Sequence, residues 1–157
     1  MSNGLLLWVD DEIELLKAHI IFLEKKGYEV VTVSNGADAI DQCRQQTFDL
    51  ILLDEMMPGL SGLDLTERVV RGDFGTLVIV VSVLEDGPMP RRLLEAGACG
   101  YVGKACDATE LLRAVRDVAR GKKYLASAIA QGMALSGVQG THASPFDALT
   151  PREMEVA

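Results

Sequence analysis

The carboxylates of this sequence gather in a few places, beside short apolar runs. Asp10, Asp11 and Glu12 follow the run LLLWV, and Asp54 and Glu55 follow DLILL. Ser82 follows LVIVV, with Glu85 and Asp86 a few residues on, and Lys104 follows GYVG. If these groups share one place, the carboxylates repel one another unless a cation sits among them. An all-oxygen donor set that leaves room for water suits Mg2+, which retains waters and shares phosphate oxygens. A lone lysine opposite suits a phosphoryl oxygen as a point charge, and the Ser82 hydroxyl can donate to another. A rigidly held Asp carboxylate can act as the nucleophile that accepts the phosphoryl group. Phosphoryl transfer needs mainly positioning and charge neutralisation, and this set offers both.

The elements that must position these groups alternate along the chain. Strands are expected at Leu5–Val9, Glu29–Val33, Phe48–Leu53, Leu77–Val81 and Gly100–Val102. Helices are expected between them. The first runs from Glu12, with Leu15, Leu16, His19, Ile20 and Leu23 on one face, and stops at Gly27. Others span Ala37–Gln46, Leu63–Arg71, Arg91–Ala96 and Asp107–Ala119. In the last of these, Asp107 and Glu110 form a capping box. Strands that are continuously apolar are buried on both faces, which implies a parallel sheet. The expected fold is α/β, a doubly wound five-stranded parallel sheet of flavodoxin-like order 2-1-3-4-5. In that order the second strand, followed only by the turn Ser34-Asn35-Gly36, is the edge. The other four strands lie side by side and bring their polar residues to one rim. Asp54 ends the central strand and is the best-placed nucleophile, and Asp10 and Asp11 would hold the metal. Glu55 should point away from Asp54, because side chains alternate along a strand; it is expected to be a solvated neighbour.

Composition agrees with one folded unit plus an appendage. The chain has 157 residues, 48% of them hydrophobic, too apolar for disorder. No apolar run reaches the roughly 18 residues of a membrane helix, and no signal-peptide pattern opens the chain, so a cytoplasmic protein is expected. The cysteines Cys43, Cys99 and Cys106 have neither metal-site nor CxxC spacing and read as small buried hydrophobes. The net charge of -8 lies in the first 75 residues, and the remainder is neutral. Such a surface does not favour nonspecific nucleic-acid binding.

WVDDE with Asp10 and Asp11, ILLDEMMPGLSG with Asp54, VVSVLED with Ser82, and EAGACGYVGK with Tyr101 and Lys104 come in the order and spacing of two-component response regulator receiver domains, which residues 5 to about 120 resemble. The resemblance implies that Asp54 takes a phosphoryl group from a sensor histidine kinase. It implies Mg2+ held by Asp11, with Asp10 in support, by Asp54, and by the backbone carbonyl of Met56. It makes Ser82 and Tyr101 the switch pair and places Lys104 on the phosphate. Met56 and Leu84, where receivers tune phosphoryl lifetime, offer no base or amide to an attacking water, so slow self-dephosphorylation is expected. Many receivers carry a proline with a cis bond after the lysine. Here Ala105 follows, and a cis bond without proline costs about 2.5–4 kcal/mol.

Residues 76–157 further resemble NarL/LuxR-type regulators of the GacA/UvrY-like group, in MPRRLLEAGACGY, the linker SPFDAL and the helix start LTPREMEVA. The first half resembles the PorX-like receivers instead, which suggests a chimera joined near residues 56–75; a natural divergent regulator is the alternative. The expected organisation is a receiver at 1–120, a linker at 121–149 with a helix near Ala126–Leu135, and at 150–157 the start of a LuxR-type helix-turn-helix domain. Without its recognition helix this chain is not expected to bind DNA specifically, whereas a full-length parent is. A homodimer is possible. Rival functions fare worse. A phosphatase of the haloacid dehalogenase type wants a second Asp where Met56 stands, and three acids after the first strand would repel a flavin phosphate. The expected function is a phosphorylation-gated switch, not a turnover enzyme. His19, on the core-facing stripe, and His142, in the linker, are poor catalytic candidates.

Overall fold

In the computed structural model, residues 3–55, 59–72, 75–83, 88–126 and 130 are described. The strands are β1 (Gly4–Val9), β2 (Tyr28–Val33), β3 (Leu50–Leu53), β4 (Leu77–Ser82), β5 (Gly100–Gly103) and β6 (Tyr124–Leu125). The helices are α1 (Lys17–Lys25), α2 (Gly36–Gln45), α3 (Gly62–Arg71), α4 (Met89–Glu95) and α5 (Ala108–Ala119). All strand pairs are parallel, in the order β2-β1-β3-β4-β5-β6.

The period-two alternation of the strands builds two cores, one on each face of the sheet. Leu7, Val9, Ile51, Leu53, Val78, Val80 and Tyr101 join Leu65, Val69, Leu93 and Leu94 from α3 and α4. Leu6, Trp8, Leu50, Leu52, Ile79, Val81 and Val102 join Leu23 of α1 and Leu111, Leu112, Val115 and Val118 of α5. Every residue of β3 is buried, as its unbroken apolar run requires.

Helix starts follow the local chemistry. Asn35, Ser61 and Asp107 cap α2, α3 and α5, each accepting a hydrogen bond from the backbone N–H three residues on. The start of α1 departs from the expected continuous helix. Glu12 makes no side-chain cap, and Ile13–Leu16 form a 3-10 turn before the α-helix begins. Three residues per turn rotate Leu15 off the core stripe, leaving it 75% exposed, while Leu16 stays buried.

The sheet keeps the expected five-strand order and extends it by one strand. Tyr124 and Leu125, in the stretch read as linker, pair with Gly100 and Tyr101 as a sixth strand. The backbone N–H groups of Tyr124 and Ala126 donate to the carbonyls of Cys99 and Tyr101 at 3.0 and 3.2 Å. Most of the Ala126–Leu135 helix, the segment 150–157 and the Met56 carbonyl lie outside the described residues. Among the described residues no peptide bond is cis, so Lys104–Ala105 is trans.

Candidate functional site

The register of the sheet sets the site. Val9 pairs with Leu53, so the next residues, Asp10 and Asp54, emerge side by side at the carboxyl ends of β1 and β3. The Asp54 N–H still donates to the Val9 carbonyl at 2.9 Å, and the Asp10 N–H to the Val33 carbonyl at 3.1 Å. Both carboxylates therefore sit on backbone fixed by the ladder. Asp10 and Asp54 are buried, and Asp11, in the turn that follows, is exposed. One carboxylate oxygen from each of Asp10, Asp11 and Asp54 lies within 4.8 Å of the other two.

Lys104 closes the site from the far strand. Its backbone N–H donates to the Ser82 carbonyl at 2.8 Å, which ties the end of β5 to the end of β4. Its Nζ lies 3.0 Å from Asp10 Oδ2 and 3.2 Å from Asp54 Oδ2. The other oxygen of Asp10, Oδ1, accepts the Glu12 N–H at 2.7 Å. Burial works to lower the pKa of the Lys104 ammonium. The hydrogen bond and charge of Asp10 and the charge and hydrogen bond of Asp54 outweigh it and raise the pKa above the ordinary lysine value. One ammonium against three carboxylates leaves a local excess of two negative charges. A divalent cation with hard oxygen ligands neutralises that excess, so the donor set fits Mg2+.

Ser82 and Tyr101 sit differently. Strand alternation puts Asp10, Asp54 and Lys104 in phase with the α1/α5 face, whereas Ser82 and Tyr101 are in phase with the α3/α4 face. Both are fully buried, and Tyr101 is part of the core that includes Leu93 and Leu94 of α4. The structure thus gathers Asp10, Asp11, Asp54 and Lys104 and places Ser82 beside them through its carbonyl. Tyr101 is set one strand over, on the opposite phase.

Glu55, expected to be solvated, is only 7% exposed. Its carbonyl accepts the Gly62 N–H at 3.1 Å, so the start of α3 closes over it. Burial, and then the charge of Asp54, raise the pKa of its carboxyl. Sequence patterning missed this because the covering element lies seven residues downstream. It also passed over His19, which bonds the carbonyl of Cys106 at 2.9 Å; an apolar stripe gives no sign of a polar partner on another element.

Comparison with known proteins follows the same lines. Residues 6–116 match the family described as the response regulator receiver domain. The chain is 39% identical over 160 residues to the response regulator UvrY of Escherichia coli (strain K12), covering 99% of this chain and 72% of that protein. It is 37% identical over 155 residues to the response regulator GacA of Pseudomonas aeruginosa, covering 96% and 72% respectively. A two-component response regulator of the LuxR family from Aurantimonas sp. SI85-9A1 superposes with a TM-score of 0.81 at 27% identity, covering 87% of this chain and 99% of that one. The receiver domain of the response regulator NarL from Mycobacterium tuberculosis superposes with a TM-score of 0.72 at 26% identity, covering 78% and 100%.

Proposed function

Because this chain belongs to the response regulator receiver domain family, a phosphorylation-activated switch, we propose that Asp54 is its phosphoacceptor and that Asp10, Asp11 and Asp54 hold the Mg2+. The observation that carries the assignment is Lys104 Nζ, within 3.2 Å of both Asp54 and Asp10 at the rim of the sheet. Bound there, Mg2+ supplies charge neutralisation for an incoming phosphoryl group.

The protein's own residues do the rest. Asp54 is held by the β1–β3 ladder with one oxygen toward Lys104, so its carboxylate meets the phosphorus without reorganising. The Asp54 oxygen–phosphorus bond forms as the donor's bond to phosphorus breaks. With a phosphohistidine donor the leaving imidazole takes up a proton. Lys104 follows the negative charge onto the phosphoryl oxygens, and Ser82 donates its hydroxyl to one of them. Tyr101 carries the change to the α4–β5 face. The backbone carbonyl of Met56, outside the described residues, would complete the metal set, as the family resemblance implies.

The donor is a sensor histidine kinase, and the chain works in the cytoplasm as a switch rather than a turnover enzyme, alone or as a homodimer. Residues 1–120 with the added strand β6 form the receiver, and residues 121–149 a linker. The output is transcriptional regulation. A junction of two ancestries lies near residues 56–75 in this reading; a parental gene that encodes all 157 residues contiguously would end it. Acetyl phosphate with Mg2+ tests the assignment. The wild-type chain should gain one phosphoryl group, and Asp54→Asn should gain none.

A further inference from the structure

The segment that carries Lys104 has no proline to fix it. Ala105 follows the lysine, and a trans peptide joins them. The segment must be held by hydrogen bonds, and the described residues show where they come from. Lys104 N–H donates to the Ser82 carbonyl at 2.8 Å and Cys106 N–H to the Gly103 carbonyl at 3.1 Å. Asp107 then caps α5 through the Glu110 N–H at 2.7 Å. All of these anchors lie in β4, β5 or α5. A tie also reaches the segment from the other side of the site: His19 Nε2, on α1, lies 2.9 Å from the Cys106 carbonyl oxygen. A carbonyl only accepts, so Nε2 carries the hydrogen in this bond. The other ring nitrogen, Nδ1, is buried without a hydrogen-bond partner among the described residues, so the bond to Cys106 is the ring's tie to the protein there.

The helix bearing His19 begins a few residues after Asp10 and Asp11, and the carbonyl it binds is two residues after Lys104. The bond therefore spans the acid side and the lysine side of the site. We propose that His19 is a positioning residue. By tying α1 to the Lys104–Cys106 turn, it fixes the place from which Lys104 reaches Asp54. This rests on the assignment of Asp54 as phosphoacceptor for its chemical consequence, though not for the tie itself.

His19→Phe keeps an aromatic ring and removes the donor. His19→Gln places an amide nitrogen the same number of bonds from the backbone as Nε2 and keeps it. In the full chain, amide hydrogen exchange of residues 104–106 should accelerate in His19→Phe and return toward the wild-type rate in His19→Gln. With acetyl phosphate, the rate at saturating donor and Mg2+ should fall about threefold to tenfold in His19→Phe, the effect of one lost hydrogen bond on a preorganised group. Half-saturation by Mg2+ should stay the same, and His19→Gln should recover most of the rate. Unchanged exchange in His19→Phe, or a His19→Gln protein as impaired as His19→Phe, would overturn the proposal. A wild-type chain that takes no phosphoryl group at all overturns the chemical consequence and the Asp54 assignment, while the exchange data still decide the tie.

Discussion

At the scale of single residues, the site is a charge problem with one local answer. Asp10 and Asp54 are buried, and Lys104 is the cation facing both. Replacing Lys104 by Met strips both carboxylates of that counter-charge, and removing one partner of a buried ion pair is costly. In the absence of Mg2+, Lys104→Met should lower unfolding stability by about 3 kcal/mol in urea titration. Saturating Mg2+ should recover part of the loss, because the cation neutralises the same oxygens. An equal loss with and without Mg2+ would contradict that account. The clustering of Asp10, Asp11 and Asp54 was legible in the sequence because each follows an apolar strand. The burial of Glu55 was not, since it comes from α3 closing over it rather than from its own strand.

At the scale of elements, α3 is set tightly against the backbone of Asp54, the proposed nucleophile. Its first residue, Gly62, is where a Cβ would meet Glu55 Cα at 2.6 Å and the Asp54 carbonyl oxygen at 3.0 Å. Those are backbone atoms, which cannot swing aside as a side-chain tip does. Gly62→Ala should therefore cost about 1–3 kcal/mol and also slow labelling of Asp54, since relief requires moving the backbone that carries it. The cap of α5 makes a useful contrast. Asp107→Ala should cost about 1 kcal/mol while Asp54 labels normally once the protein is folded. Equal labelling defects in the two variants would mean that general instability, not displacement of Asp54, is being read. Strands and capped helices were legible because period and cap chemistry are local. The 3-10 turn at Ile13–Leu16 was not, because leucine spacing alone does not separate three residues per turn from 3.6. Strand β6 was missed for a related reason: two residues are too short for an alternation to show, and their pairing is decided by β5.

At the scale of the whole molecule, the sheet order converts scattered motifs into one rim. Val9, Leu53, Val80, Tyr101 and Leu125 form a continuous row across five strands, so the row fixes the site and the buried tyrosine together. This order was legible because five apolar strands alternating with helices imply a doubly wound parallel sheet, in which the four polar strand ends are neighbours. Occupation of the rim should be felt throughout the fold. Mg2+ at about a hundredfold above its dissociation constant should add about 2.7 kcal/mol of stability, read as a raised melting temperature. The same ionic strength of NaCl should not reproduce the shift. Trp8, the single tryptophan, is fully buried two residues before Asp10, and its emission should change on the same Mg2+ titration. The central claim, that Asp54 is the acceptor, is tested most directly by intact mass after incubation with acetyl phosphate and Mg2+. The wild-type chain should carry a single phosphoryl adduct and Asp54→Asn none; an adduct of equal yield in Asp54→Asn would contradict it.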